Sequence, residues 1–203
     1  MSEAELLVPF PDEEAILGVA TEVRSTLIAS SITSLRRNGH FERYEPQLAE
    51  EHREVVLSAV AGVWLPMAAA RAHYLACETL GLSTHEQLKI GAEVSHKIHQ
   101  TLLGVVVRMA RQAGVTPWPL LSRGNQMYGR LFRGGGGLRV LRCGPKEARA
   151  DLTGIPLLAI PYFRHALRGI YLGAVSLFCM QAYAHEIPRE STATRIALRV
   201  SWV

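Results

Sequence analysis

At 203 residues, with 48% apolar and 20% charged side chains, the chain lies in the globular range and is long enough to bury a full core, which excludes a disordered, collagenous or low-complexity protein. Its 22 basic and 18 acidic residues give a formal charge of +4 with no basic tail or block, a weak argument for a polyanionic partner. The longest apolar runs, such as residues 102–107, fall far short of the roughly 20 residues that cross a bilayer, and the acidic start Met1-Ser-Glu-Ala-Glu lacks the basic n-region of a secretory signal, so a cytoplasmic protein is expected.

The three cysteines, Cys77, Cys143 and Cys179, are widely spaced among apolar neighbours and form no Cys-x-x-Cys pair, so they read as reduced, buried thiols. Residues 18–23 suit a short strand or an extended lead-in. Thr26 to Arg37 follows as a helix with Leu27, Ile28, Ile32 and Leu35 on one stripe, closed by Asn38-Gly39. Pro46 to Val60 is a second helix, with Leu48, Val55 and Val56 inward. Pro66 suits a first helical turn, where its missing N–H costs nothing, and that helix runs to Leu80 with Gly81 as its stop. Ser83 and Glu86 then form a capping box that opens the longest helix, predicted to end at Gly114 and to bury Leu88, Ala92, Ile98, Leu102, Val105 and Met109. Pro117-Trp118-Pro119 begins a shorter helix through about Phe132.

The tract Gly134 to Gly137 divides the chain, because short alternating segments replace helical periodicity after it. Leu138 to Cys143 and Glu147 to Leu152 form a hairpin through Gly144-Pro145-Lys146. Pro161 starts a helix carrying Phe163, Leu167, Ile170, Ala174 and Phe178, and Cys179 to Glu186 is extended. Thr194, Ile196, Leu198, Val200 and Trp202 then alternate with polar or small residues, the period of a strand with one buried face. The prediction is one α+β domain over 1–203: a helical half, about 18–133, packed on a four-stranded antiparallel sheet of ββαββ order, about 137–203.

Several constellations could carry chemistry. Glu93-Val-Ser-His96 puts a carboxylate and an imidazole on one helix face, with His99 three residues on, but no second Glu-x-x-His exists to complete a di-iron bundle. The face reads as solvated, and no metal is assigned. His73, four residues before Cys77, and His165 could line a pocket as a haem ligand or a Cys–His nucleophile pair; a satisfied core imidazole is the plainer reading. The glycine tract lacks the Gly-Lys-Ser/Thr ending of a phosphate loop and reads as a flexible turn.

Arg139, Arg149, Arg195 and Arg199 share strand parity, so one sheet face is basic, but Trp202 has the opposite parity and leaves that face no stacking platform. A nucleic-acid role therefore ranks third. The Leu80 to Leu88 turn resembles that of a helix-turn-helix, yet the apolar run Val105 to Val107 marks the following helix as scaffold. Gly169 and Gly173 form a helix stripe that admits a second backbone, from the sheet or from another protomer. No complete catalytic set is present, which argues against an enzyme.

At residues 73–83, 114–118, 144–149, 161–164 and 200–202 the chain resembles an uncharacterised bacterial family of about 200 residues. Its order, helices followed by ββαββ, is also similar to the superfamily of haem-nitric-oxide-binding domains, vinyl-reductase-type (4VR-like) sensors and TRAPP-type trafficking subunits. That resemblance implies an architecture and a receptor role. It supplies no Tyr-x-Ser-x-Arg haem motif here, and Cys179 alone does not make the cysteine cluster of the vinyl-reductase type.

The expectation is thus a non-catalytic sensor or interaction module. It would bind a small apolar ligand, a protein partner or a second copy of itself through Trp118, Tyr162, Phe163, Gly169, Tyr171 and Gly173. The residues name no cofactor; the rival reading is a metal- or haem-binding protein using His96 and His99, or His73.

Overall fold

The structure, a computed structural model, describes residues 4–11, 16, 18–112 and 116–203. It opens with strand β1 (Glu5–Val8) and the short strand β2 (Glu22–Arg24), which runs directly into helix α1 (Ser25–Arg37). One turn, α2 (Phe41–Tyr44), a 3-10 turn at Glu45–Gln47 and α3 (Glu50–Leu57) follow. The predicted helix from 46 to 60 is thus shorter, because Pro46 sits in the 3-10 turn and Leu48 and Ala49 are extended. Strand β3 (Trp64–Pro66) precedes α4 (Met67–Glu78), so Pro66 closes a strand and stands just before the helix instead of inside its first turn.

Helix α5 (Thr84–Gln112) begins at the predicted capping box. Ser83 N–H donates to Glu86 Oε2 at 2.8 Å, and Glu86 N–H donates to Ser83 Oγ at 3.3 Å. Of its expected stripe, Ile98 is buried and Ala92 half-buried, while the side chains of Leu102, Val105 and Met109 lie outside the described residues, as does Gly114.

The predicted helix from Pro117 to Phe132 is two, α6 (Trp118–Leu121) and α7 (Gly124–Leu131). The break at Ser122 and Arg123 lets Gly124 sit on the sheet: a Cβ there would come within 2.6 Å of Leu138 Cδ2. Strand β4 (Phe132–Arg133) joins β2 and β3 in a three-stranded antiparallel sheet of order β3-β2-β4.

The glycine tract is not the flexible turn expected. Gly134 and Gly136 have φ of +97° and +78°, a region side chains rarely adopt, and any Cβ on Gly135 would lie 2.7 Å from the Val19 nitrogen. The tract is a packed crossing of backbones, not a hinge.

Strands β5 (Gly137–Gly144) and β6 (Glu147–Thr153), helix α8 (Pro161–Val175), and strands β7 (Ala182–Glu186) and β8 (Arg195–Trp202) form the ββαββ unit. Helix α8 ends at Val175, before Phe178, and β7 starts three residues after Cys179, which like Cys143 is only half-buried, so of the three thiols expected to be buried Cys77 alone is. The sheet is antiparallel with order β1-β5-β6-β8-β7, so the N-terminal strand β1 adds a fifth strand to the four expected.

Register explains the core. Val140, Ala150 and Leu198 lie abreast, as do Leu138, Leu152 and Ile196, and all are buried on the inner face. Helix α8 lies between that face and α5. Phe163 and Leu167 of α8 are buried, each worth about 1.5–3 kcal/mol on removal from water. Its N-terminus is held from a distance: the Glu78 carboxylate at the end of α4 accepts from Tyr162 N–H at 2.6 Å, an anion against the positive end of the helix.

Candidate functional site

The side chains that face one another across α7, α8 and the sheet are almost all apolar. Leu121, Met127 and Leu131 come from the α6–α7 side, Leu138, Val140 and Leu152 form the floor, and Leu167, Ile170, Tyr171, Ala174 and Val175 come from α8. They line a partly open cavity of about 90 Å³. It exists because α7, broken from α6 at Ser122, carries its apolar residues at 127 and 131, one turn apart on one face, over a sheet whose inner face is flat and aliphatic.

The polar group at its edge is Tyr128, whose hydroxyl donates to the Gly135 carbonyl at 2.9 Å and lies 3.3 Å from that of Thr153. Burial pushes its pKa well above the ordinary phenol range, so it stays protonated. The left-handed Gly136 is what admits this ring, since a Cβ there would overlap the Tyr128 oxygen. Burial pushes the Tyr171 phenol up in the same way.

Of the residues singled out from sequence, Tyr171 lines this cavity. Trp118 clamps the end of the β5–β6 hairpin instead: its Nε1–H donates to Pro145 O at 3.1 Å, its ring meets Trp202 edge-on at 4.8 Å, and Arg142 lies over it. Tyr162 and Phe163 are wholly buried against Tyr74. Gly169 and Gly173 receive neither the sheet nor a second protomer. They face α5, where a Cβ on Gly169 would strike the Leu88 carbonyl and one on Gly173 would stand 2.8 Å from that of Ala92.

The histidines do not converge. His73 is fully buried, accepts from Tyr44 O–H at 2.5 Å through Nδ1 and, in that tautomer, donates from Nε2 to Ser31 Oγ at 3.0 Å. Burial pushes its pKa down to about 3 and pushes the Cys77 thiol, 3.7 Å away, well up; the pair is a neutral core cluster, not an activated nucleophile. The Tyr162 hydroxyl lies beside this cluster without a hydrogen bond of ordinary geometry. Glu93 accepts from Ser34 and Asn38, His96 is exposed, and the His99 side chain lies outside the described residues. His165 stands 3.1 Å from Arg168, away from the cavity. Among the described residues no three His, Cys, Asp or Glu side chains group as metal ligands would.

The outer sheet face is basic as expected and largely neutralised. Arg139, Arg149 and Arg195 converge on the fully buried Asp151, Arg149 also reaches Glu190, and Arg199 binds Glu147 at 2.7 Å. That pairing removes the support a nucleic-acid reading drew from this face. No described helix is long and apolar enough to cross a membrane.

Comparison with solved structures places this arrangement. A structure from work on haem distortion in the H-NOX family aligns over 88% of this chain and 94% of its own, with a TM-score of 0.61 at 11% identity. An Fe(II) unliganded H-NOX protein from K. algicida aligns over 89% and 96%, TM-score 0.60 at 8% identity. An oxygen-binding H-NOX domain related to soluble guanylate cyclases, in its oxygen complex, aligns over 88% and 94%, TM-score 0.58 at 12% identity. The chain has the H-NOX fold. No family model and no curated protein matches it, so the likeness is one of backbone course.

Within the H-NOX fold, the residues missed from sequence are those of α7, above all Met127, Tyr128 and Leu131. Their signal was the i, i+4 pair Met127 and Leu131, hidden because the segment from 117 to 132 reads as a single short helix.

Proposed function

We propose that this chain is a ligand-sensing domain whose ligand enters the apolar cavity between α7, α8 and the sheet. The observation that carries the reading is the coincidence of that cavity with the H-NOX fold: a wall of Leu, Ile, Val and Met with two tyrosines, and no catalytic set around it. At about 90 Å³ it is smaller than the roughly 150 Å³ apolar cavity that takes benzene or xenon, so benzene probes the upper limit of what it holds.

Haem is the second occupant, and the comparisons favour it, because the solved neighbours are haem proteins by description. The described wall does not fit it. Among the described residues no histidine lines the cavity, the Tyr128 hydroxyl is committed to Gly135, and about 90 Å³ lies below the roughly 300 Å³ at which pockets for larger ligands begin. The other imidazoles read from the sequence as haem ligands, His73 and His96, lie outside this wall. No step is therefore assigned to it.

Thermal unfolding of the purified chain with benzene, and separately with haemin followed in the visible, distinguishes the two. A ligand at a hundredfold excess over its Kd stabilises by about 2.7 kcal/mol, which raises Tm by about 5–10 °C in a chain of this size. Benzene stabilisation that Ala174→Leu abolishes supports the apolar reading. A stoichiometric Soret band that His99→Ala or Met127→Leu removes installs haem in its place. Absence of both responses refutes the sensing role.

A further inference from the structure

A second cleft, of about 590 Å³, shares Met127 and Leu131 with the apolar cavity but opens toward β2 and β3. Its chemistry is opposite. Arg24, Arg130 and Arg133 line it together with Trp64 and Ile98. The Arg24 and Arg133 guanidinium carbons stand 4.8 and 4.0 Å from the Trp64 ring centroid, so two like charges are drawn onto one indole. Among the described residues no carboxylate lines the cleft and none of these three arginines is in an ion pair, although Glu22 stands opposite Arg133 in the β2–β4 register. Residues 99–112, which continue α5 beyond Ile98, contain no Asp or Glu. The buried Trp64 Nε1–H has no acceptor.

Stacking on an indole satisfies the face of a guanidinium and leaves its N–H edges free to grip oxygens. Three such groups with only Glu22 beside them, and no ion pair to it, keep a net positive charge, and an anion of charge near −2 offsets that better than a carboxylate of −1. The volume exceeds what an inorganic ion fills and lies within the roughly 300–1,000 Å³ of small-molecule pockets. Met127, Leu131 and Ile98 make an apolar part of the remaining wall, which also holds Thr26. We propose that this cleft binds a small organic phosphate monoester, with its phosphoryl group held by Arg24, Arg130 and Arg133 and its organic part against Met127, Leu131 and Ile98.

Isothermal titration of the full chain with phenyl phosphate, inorganic phosphate and benzoate tests this. Phenyl phosphate is expected to bind one to one, at least about tenfold more tightly than either of the others, and to weaken as salt is raised. Arg130→Gln and Arg133→Gln change exposed side chains and should each lose about tenfold in affinity without lowering Tm. Arg36→Gln removes a guanidinium stacked 4.2 Å over Phe41, outside the cleft, and should leave binding unchanged. Absence of one-to-one binding, equal affinity for benzoate, or binding that survives the Arg130 and Arg133 double change would overturn the assignment. It does not depend on the apolar cavity, so Ala174→Leu should leave phenyl phosphate binding intact.

Discussion

Replacing Gly169 by Ala adds one methyl group at the crossing of α5 and α8, and the structure sets its cost. The new Cβ would lie well inside 3.0 Å of the Leu88 carbonyl oxygen and 3.0 Å from the Ala92 nitrogen, both backbone atoms within a helix. Neither can rotate away, so the two helices must part by about 1 Å to restore ordinary contact. Overpacking costs about 1–3 kcal/mol, and a clash with rigid backbone falls at the upper end. Helix propensity returns about 1 kcal/mol for Gly to Ala. The net loss is about 2 kcal/mol, or a fall in Tm of about 4–8 °C for a chain of this length. Gly129→Ala is the internal control. That glycine lies in α7 with nothing within 4 Å of its would-be Cβ, so the same change should stabilise by about 0.5–1 kcal/mol. Differential scanning calorimetry of the two variants decides. If Gly169→Ala melts at or above the wild-type temperature, or if both variants fall together, the close helix crossing is not what α5 and α8 make.

The His73 ring, held neutral by burial with a pKa of about 3, makes stability depend on acidity. Below the ordinary histidine pKa of about 6.5 the unfolded chain takes up a proton that the folded one refuses, so stability falls as pH drops from there toward about 3, by up to about 1.4 kcal/mol per unit. Urea titrations at about pH 7 and about pH 4.5 should therefore differ by about 2 kcal/mol more in the wild type than in His73→Gln, and equal slopes would remove His73 as the cause. Asp151→Asn leaves Arg139, Arg149 and Arg195 facing one another without their shared anion. The expected cost is about 2–4 kcal/mol, discounted from a fully buried pair because the guanidiniums reach solvent, and a change below about 0.5 kcal/mol in denaturant would refute the cluster's structural role. Phe163→Ala, at a wholly buried site against Tyr74, should cost about 3–5 kcal/mol in the same assay, and a Tm within a degree or two of wild type would contradict its burial.

Periodicity and punctuation alone determined much of this protein. The α1 stripe, the Ser83 and Glu86 capping box, the hairpin through Gly144 to Lys146 and the alternation of β8 are all local: each is decided by neighbours within about four residues, so the chain order carries it. The ββαββ order followed, and with it the likeness to the H-NOX fold. The candidate site did not, because it is made of residues that sequence order keeps apart. Leu121 and Tyr171 meet across a cavity only once α8 has docked.

The glycines show the divide most plainly. Their spacing at 169 and 173 announced a close approach, but only the folded chain settled that Leu88 and Ala92 of α5 supply the other backbone. Glu78 capping α8 from 84 residues away, β1 completing the sheet, and Arg24 meeting Arg133 on one tryptophan are of the same kind. The physical reason is that the hydrophobic effect is non-directional: a sequence specifies which faces must be buried, and packing of whole elements decides which buried face meets which.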